Sequence, residues 1–365
     1  MSGHEAVDSH FMADAKRASC IRPGWRGIPR GGRNQTEEPR KVKHSRIARI
    51  CIMTAAASVL LHGVASAWAA QRTRHFLVVS ADESSICSSF GELLETIHVR
   101  LSRAMNSHGL SLDATSDPLV WVYFGCREQY REHPLGAERA DPAFQDAYYC
   151  TRTNQVTLCA DGMLSSRERR DESTAPRATA ESQYTDGLCA FQGASAECIR
   201  LLTHEMAHQL AYNRGLQTRG VMYPLWVSEG LATFFEGSAL AGADPRSNPG
   251  RKRRLAELGV KKTLLPLREL SILAGPGALE PSPADVYAQC WGLMTFLLQR
   301  HPDKLSAYLA DLAQTRMGRR SSASLRYDFV RHFGPIGALE RRWQEYVASL
   351  PSEIDVADEP MISGF

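Results

Sequence analysis

The chain has 365 residues, 43% of them hydrophobic and 23% charged, enough apolar material for one large domain or two modest ones. That composition excludes a fibrous or wholly disordered protein. The formal charge of +3 is misleading, because residues 1–70 contribute +6 (eleven basic against five acidic residues) and leave the remainder at −3. The pI of 8.4 therefore belongs to the N-terminal stretch, and no nucleic-acid partner is expected.

Residues 1–49 combine basic charge, Gly-Pro punctuation and no hydrophobic periodicity, which predicts a disordered basic leader. Residues 50–70 (ICIMTAAASVLLHGVASAWAA) are free of charge and follow Lys41, Lys43, Arg46 and Arg49. Ala65-Ser66-Ala67 and Ala67-Trp68-Ala69 each fit a signal-peptidase site, so the run reads first as a signal peptide and the protein as exported, periplasmic or extracellular. About twenty apolar residues also suffice for an uncleaved membrane tether, and a buried helix is the third reading. The long basic lead is also explained by translation starting downstream of Met1, at Met12.

Seven cysteines lie beyond residue 70, and in an exported protein some are expected to pair. Cys150 with Cys159 and Cys189 with Cys198 are the candidate local bridges, although spacing does not determine connectivity. No CxxC or Cys/His spacing suggests a structural zinc site or a redox motif.

Residues 71–162 read as a small α/β part. Residues 75–80 (HFLVVS) form a strand candidate, 86–105 an amphipathic helix, 118–124 (PLVWVYF) the strongest strand, and 154–159 (NQVTLC) a further short one. A loop or linker is expected over 163–195, where Ser, Arg, Glu, Asp, Thr and Pro crowd together. Residues 196–350 read as mainly helical. A largely apolar helix covers 196–213 and is closed by Gly215; another covers 225–236; 241–254 reads as a polar loop; further helices cover 284–299, 302–315 and 336–350. Residues 351–365 form a C-terminal tail.

Within the first of these helices stands His204-Glu205-Met206-Ala207-His208. Four residues are slightly more than one helical turn, so both imidazoles project from one face and can reach one zinc ion, with Glu205 beside a metal-bound water. Two core histidines at coincidental spacing are the bland alternative, but each would then need its own buried hydrogen-bond partner. A catalytic zinc needs a third protein ligand and an open position. The helix WVSEGLATFFE offers Glu229, a charge embedded in apolar surroundings, with Gly230 beside it permitting close helix contact; Glu236, two turns on, competes for the role, its alternative being a carboxylate near the helix end that lies at the surface or behind a ligand. Ala211 and Arg214 stand where the HExxHxxGxxH pattern needs its glycine and third histidine, so that pattern does not apply.

HEMAH followed about twenty residues later by WVSEGLATFFE resembles the HExxH and W-x-x-E-G-x-A segments of the glutamate-type zincins of the MA clan, the group related to thermolysin and the neutral aminopeptidases. The likeness is closer to a bacterial peptidase MA-like family of unassigned function, and extends from HFLVVS through YAQCWGLMTFLL to FGPIGALERRWQEYVASL. It implies an α+β fold of the thermolysin-like kind, with a small N-terminal α/β layer and a mainly helical catalytic half. It also implies a Zn2+ cofactor held by His204, His208 and Glu229, with Glu205 as general base and Tyr287 as a group that helps stabilise the oxyanion. An aromatic core residue is the alternative reading of Tyr287. NQVTLC resembles the edge strand on which such enzymes align an extended peptide or protein substrate. Thr233 replaces the aspartate that orients a histidine in thermolysin-like enzymes, so another group must support the imidazoles. Ser228 replaces the asparagine of the neutral aminopeptidases, and their Gly-Ala-Met-Glu-Asn segment is absent, which favours an endopeptidase. Hydrolysis of a non-protein amide, such as a cell-wall amide, and a zinc-stabilised binding protein are the other classes the residues allow.

Overall fold

The computed structural model describes residues 68–80, 84–114, 117–132, 146–159, 194–240, 244–246, 248–275 and 282–350. The expected leader, most of the 50–70 run, most of the 163–195 loop, Cys189 and the C-terminal tail lie outside them.

The described strands all precede residue 160 and join in one five-stranded sheet. They are β1 (Ala69–Arg72), β2 (Phe76–Ser80), β3 (Leu119–Phe124), β4 (Ala147–Cys150) and β5 (Gln155–Cys159), arranged β1-β2-β3-β5-β4. The three inner strands run parallel, and each edge strand is antiparallel to its neighbour. β1 takes up Ala69 and Ala70, the last residues of the predicted apolar segment. The β3 alternation follows from its sequence. Leu119, Trp121 and Tyr123 enter the main core, while Val122 and Phe124 face a smaller cluster with Tyr130, Tyr148 and Cys159. Helix α1 (Ser84–Ser107) covers the main-core face through Phe90, Leu93, Leu94, Ile97, Leu101 and Met105, at helical spacing. The short α2 (Arg127–Glu132) supplies Tyr130 to the other face.

Two expectations about this part are corrected. NQVTLC is not an edge strand: β5 is flanked by β3 and β4, so the AYYC segment of β4 forms that edge. Cys150 and Cys159 do not pair with each other. The β4–β5 register sets Cys150 opposite Gln155, so the two cysteines stand at opposite ends of the ladder.

The second half is helical: α3 (Ala196–Asn213), α4 (Leu225–Phe235), α5 (Pro249–Lys261), α6 (Leu267–Leu270), α7 (Pro283–Arg300), α8 (Pro302–Ala313), α9 (Ser322–Phe333) and α10 (Ile336–Ala348). Ser195 caps α3 by accepting the Cys198 N–H, and Gly215 leaves it at φ 90°, in the left-handed region. The residues expected as a loop up to 254 already belong to α5 from Pro249. Asn248 caps that helix by accepting the Arg251 N–H, and proline at its start needs no intrahelical donor. The run of four basic residues after Gly250 thus lies on a helix. Helix α9 was not expected; Ser321 caps it, and Leu325, Phe329 and Phe333 form its buried stripe. No helix among the described residues is long and apolar enough to cross a membrane.

Candidate metal centre

Helix α3 carries two neighbouring stripes of side chains at i, i+4 and i+8 spacing. Glu205, Gln209 and Asn213 face the sheet. The Gln209 amide accepts from the Trp121 indole N–H at 2.8 Å and donates to the carbonyls of Val120 and Asn154 at 3.2 and 3.4 Å. Asn213 and Asn154 exchange amide hydrogen bonds at 2.7 and 2.8 Å, latching the β4–β5 turn to the helix, where Asn154 itself sits at φ 60°. Glu205 accepts the backbone N–H of Tyr149, on β4, at 2.6 Å through Oε2. These bonds set the rotation of α3 against the sheet, and that rotation turns the next stripe, His204, His208 and Tyr212, into a cavity of about 230 Å³.

The same cavity is lined by Glu205, Ser228, Glu229 and Tyr287, and by Ala147 and Tyr149 of β4. The structure therefore brings together five residues singled out from the sequence: His204, His208, Glu229, Glu205 and Tyr287. The Nε2 atoms of His204 and His208 lie 3.2 Å apart. Glu229 Oε2 is 3.4 Å from His204 Nε2, and its Oε1 is 3.6 Å from His208 Nε2. Tetrahedral ligands at zinc distances of about 2.0–2.2 Å are separated by roughly 3.3–3.6 Å, so the two imidazoles and the Glu229 carboxylate stand close to the spacing that one zinc ion requires. The donor set, two imidazoles and one carboxylate, also suits that ion.

Glu236 is the competing candidate from the sequence, and the structure puts it elsewhere. Its Oε2 lies 3.3 Å from His204 Nδ1, on the opposite side of the ring from Glu229. It is 9% exposed, and on its far side it accepts from Asn248 and Arg251. The group that supports His204 where Thr233 cannot is therefore Glu236, seven residues after Glu229. Thr233 is turned back onto its own helix and donates to the Glu229 carbonyl at 2.6 Å.

Electrostatics follow the packing. Burial works to raise Glu229, but the imidazoles of His208 and His204 outweigh it and hold the carboxyl well below the usual range. For Glu236 burial is likewise outweighed, by His204 and Arg251, and the group is held down to about 2. Burial alone would lower His204, yet the carboxylates of Glu229 and Glu236 raise it to about 10. Glu205 behaves in the opposite sense: burial raises it despite the two histidines. Burial also raises Tyr287 and Tyr212, with the Glu229 charge adding to both and the Glu205 charge adding to Tyr287.

Helix α4 reaches the centre because of Gly230. A Cβ there would lie 2.7 Å from the backbone carbonyl oxygen of Cys290 on α7, so only glycine permits this approach. The same helix is anchored by Trp226, stacked on Tyr308 at 5.5 Å.

Sequence reasoning missed Tyr212, Tyr149 and the grip of Arg251 and Asn248 on Glu236. Tyr212 was legible, since it continues the His204–His208 spacing by one more step of four. Tyr149 acts through its backbone N–H, and the Glu236 cluster depends on a helix read as a loop. Arg214, where a third histidine would stand in the other zincin pattern, points away and donates to the Asp113 carbonyl at 2.9 Å. His75, Glu95 and His98 also have ligand atoms within 4.8 Å of one another. However, both Glu95 oxygens are taken up by Thr73 and His75, and the His75 and His98 rings stack at 4.1 Å. Stacked rings do not converge their in-plane lone pairs on one ion, so this is an internal polar cluster.

A family model described as "Protein of unknown function (DUF1570)" matches residues 198–317. The matched stretch contains His204, Glu205, His208, Glu229, Glu236 and Tyr287. No curated protein matches the chain.

Proposed function

We propose that this protein is a zinc-dependent peptidase, an endopeptidase of the glutamate-type zincin kind with the α+β architecture that resemblance implies. The observation that carries the reading is the convergence of His204 Nε2, His208 Nε2 and the Glu229 carboxylate, whose Oε2 lies 3.4 Å from the first nitrogen and whose Oε1 lies 3.6 Å from the second, with the nitrogens 3.2 Å apart and the carboxylate of Glu205 alongside. His204, His208 and Glu229 would hold the zinc, which supplies Lewis acidity that lowers the pKa of a water and polarises a carbonyl oxygen.

Glu205 takes the proton of the attacking water. Its Oε2 already accepts the Tyr149 N–H, so Oε1 receives that proton and then passes it to the leaving amine. The raised affinity of Glu205 for protons, caused by burial, suits a group that must both take and return one. Tyr287, on the cavity wall, donates its hydroxyl proton as a hydrogen bond to the developing oxyanion. An extended peptide is held along β4 by strand addition. The carbonyls of Asp146 and Cys150 point to the β5 side, where they accept from Cys159 and Asn154. By the alternation of an antiparallel ladder the N–H and C=O of Ala147 and the C=O of Tyr149 point away from β5, along the edge of a strand whose Ala147 and Tyr149 line the cavity. The apolar 50–70 run behind a basic lead supports export, with cleavage after Ala67 leaving β1 whole.

Glu205→Gln keeps an acceptor for the Tyr149 N–H but removes the base. It is expected to retain zinc, by metal analysis, and to lose about 10²–10⁴-fold in kcat on casein or a peptide library. Full activity in that variant sinks the assignment. Peptide binding without turnover by the zinc-loaded wild type replaces the peptidase with a binding protein.

A further inference from the structure

The side chains behind His204 form a chain that reaches a second functional group. Glu236 ends α4, the helix that presents Glu229, so α4 flanks one imidazole with two carboxylates, Glu229 at Nε2 and Glu236 at Nδ1. An imidazole that donates its Nδ1 proton to a fixed carboxylate must turn its Nε2 lone pair outward. Its direction is then only as fixed as the carboxylate. Glu236 is fixed by α5: Asn248 Nδ2 donates to Oε1 at 2.6 Å, Arg251 Nε to Oε1 at 3.0 Å, and a second Arg251 nitrogen to Oε2 at 3.1 Å. This two-point grip is the geometry in which a planar guanidinium outperforms a lysine ammonium. The same Arg251 guanidinium carbon stands 5.9 Å from the centroid of the Tyr287 ring, within range of a cation–π contact.

We propose that Arg251 is a positioning residue of this centre. It holds Glu236 so that His204 keeps Nε2 turned toward the metal position, and through the same guanidinium it sets the ring of Tyr287. The inference rests on the metal centre proposed above. It adds that metal affinity and the placement of the oxyanion group depend on one arginine outside the ligand set. Arg251 also supplies positive charge where Glu205, Glu229 and Glu236 gather, so its loss leaves the buried Glu236 with less compensation.

The test is zinc affinity of the full chain, by competition with a chromophoric chelator, together with kcat and KM and the thermal midpoint of the metal-free protein. Glu236→Ala is expected to weaken zinc binding about 10–100-fold. Arg251→Ala is expected to weaken it about tenfold, and Arg251→Lys to recover part of that loss. The Arg251→Ala/Glu236→Ala double variant should bind no more weakly than Glu236→Ala alone, because one acts through the other. Arg251→Ala should also lower kcat beyond its zinc effect at saturating metal, and that excess should vanish in a Tyr287→Phe background. Wild-type zinc affinity in Arg251→Ala overturns the proposal, as do losses that add in the double variant. A lowered metal-free midpoint with unchanged affinity marks Arg251 as a structural strut and overturns it equally. A wild type that binds no zinc refutes the metal-centre reading itself. A wild type that binds zinc without cleaving peptides refutes only the peptidase reading and leaves the affinity comparison decisive.

Discussion

Substituting Gly230 by alanine tests whether close helix approach builds the centre. The added Cβ meets the Cys290 carbonyl oxygen at 2.7 Å, and the Cys290 carbonyl carbon and Met294 Cβ at 3.3 Å each. The nearest of these is backbone inside α7, so no rotamer change relieves it, and α4 and α7 must separate by roughly half an ångström or more to restore ordinary contact. Overpacking of this kind costs about 1–3 kcal/mol, against about 1 kcal/mol that alanine contributes over glycine in a helix interior. The net expectation is a loss of up to about 2 kcal/mol. Glu229 is the adjacent residue, and metal sites tolerate displacements of about 0.5 Å, so zinc affinity should fall by about tenfold. Urea denaturation of the metal-free protein and chelator competition measure the two effects separately. Gly250, in the first turn of α5 with no atom within 4 Å of its added Cβ, is the control, and alanine there should leave both quantities close to wild type. A Gly230→Ala protein as stable as wild type, with unchanged zinc affinity, would refute the claim that this approach places Glu229.

The polar cluster at the start of β2 should make the fold acid-sensitive. His98 is 8% exposed, and burial, with added repulsion from His75, Arg214 and Arg74 against attraction from Glu95, lowers it from 6.5 to about 4. The unfolded chain therefore takes up a proton between pH 6.5 and 4 that the folded chain refuses, so stability falls as pH drops through that window, by up to about 3 kcal/mol. His98→Phe should flatten the metal-free denaturation midpoint across the same range, and an unchanged pH profile would remove His98 as the cause. Among the cavity tyrosines, Tyr287→Phe should lower kcat about 10–100-fold with little change in KM. Tyr212→Phe, whose ring feels Glu229 but not Glu205, should act less on kcat; the reverse ranking in steady-state kinetics would transfer the oxyanion role to Tyr212.

What could be read from the sequence was whatever lies within one turn or one strand. His204 and His208 share a face because four residues nearly close a turn, and Glu229 stood out as a charge in an apolar helix; both inferences needed only local geometry. The alternation of β3 was equally plain. Sheet order was not, because the position of β5 between β3 and β4 depends on pairing across a segment that sequence periodicity does not describe. The edge was therefore assigned to NQVTLC when the chain gives it to AYYC. Helix α5 was missed because four consecutive basic residues look solvated, although Asn248-Pro249 is a start signal and one turn suffices to direct Arg251 inward while its neighbours face outward.

The centre is built by contacts between segments far apart in sequence. Adjacent positions on a helix differ by about 100° in direction, so the stripe holding Glu205 and the stripe holding His204 and His208 cannot both face the cavity squarely. The structure resolves this by pinning the Glu205 stripe to the sheet, through Trp121, Asn154 and the Tyr149 N–H, and the His204 ring to α4 and α5 through Glu236. Glu205, the proposed base, is thus oriented by the backbone of the edge strand β4, and His204, a proposed metal ligand, by a carboxylate gripped from the opposite direction. Rotation of α3 that improved one contact would degrade the other. The HExxH spacing states which residues can meet at one ion, whereas the angle at which they meet is set by Tyr149, Glu236 and Arg251, none of which the spacing reveals.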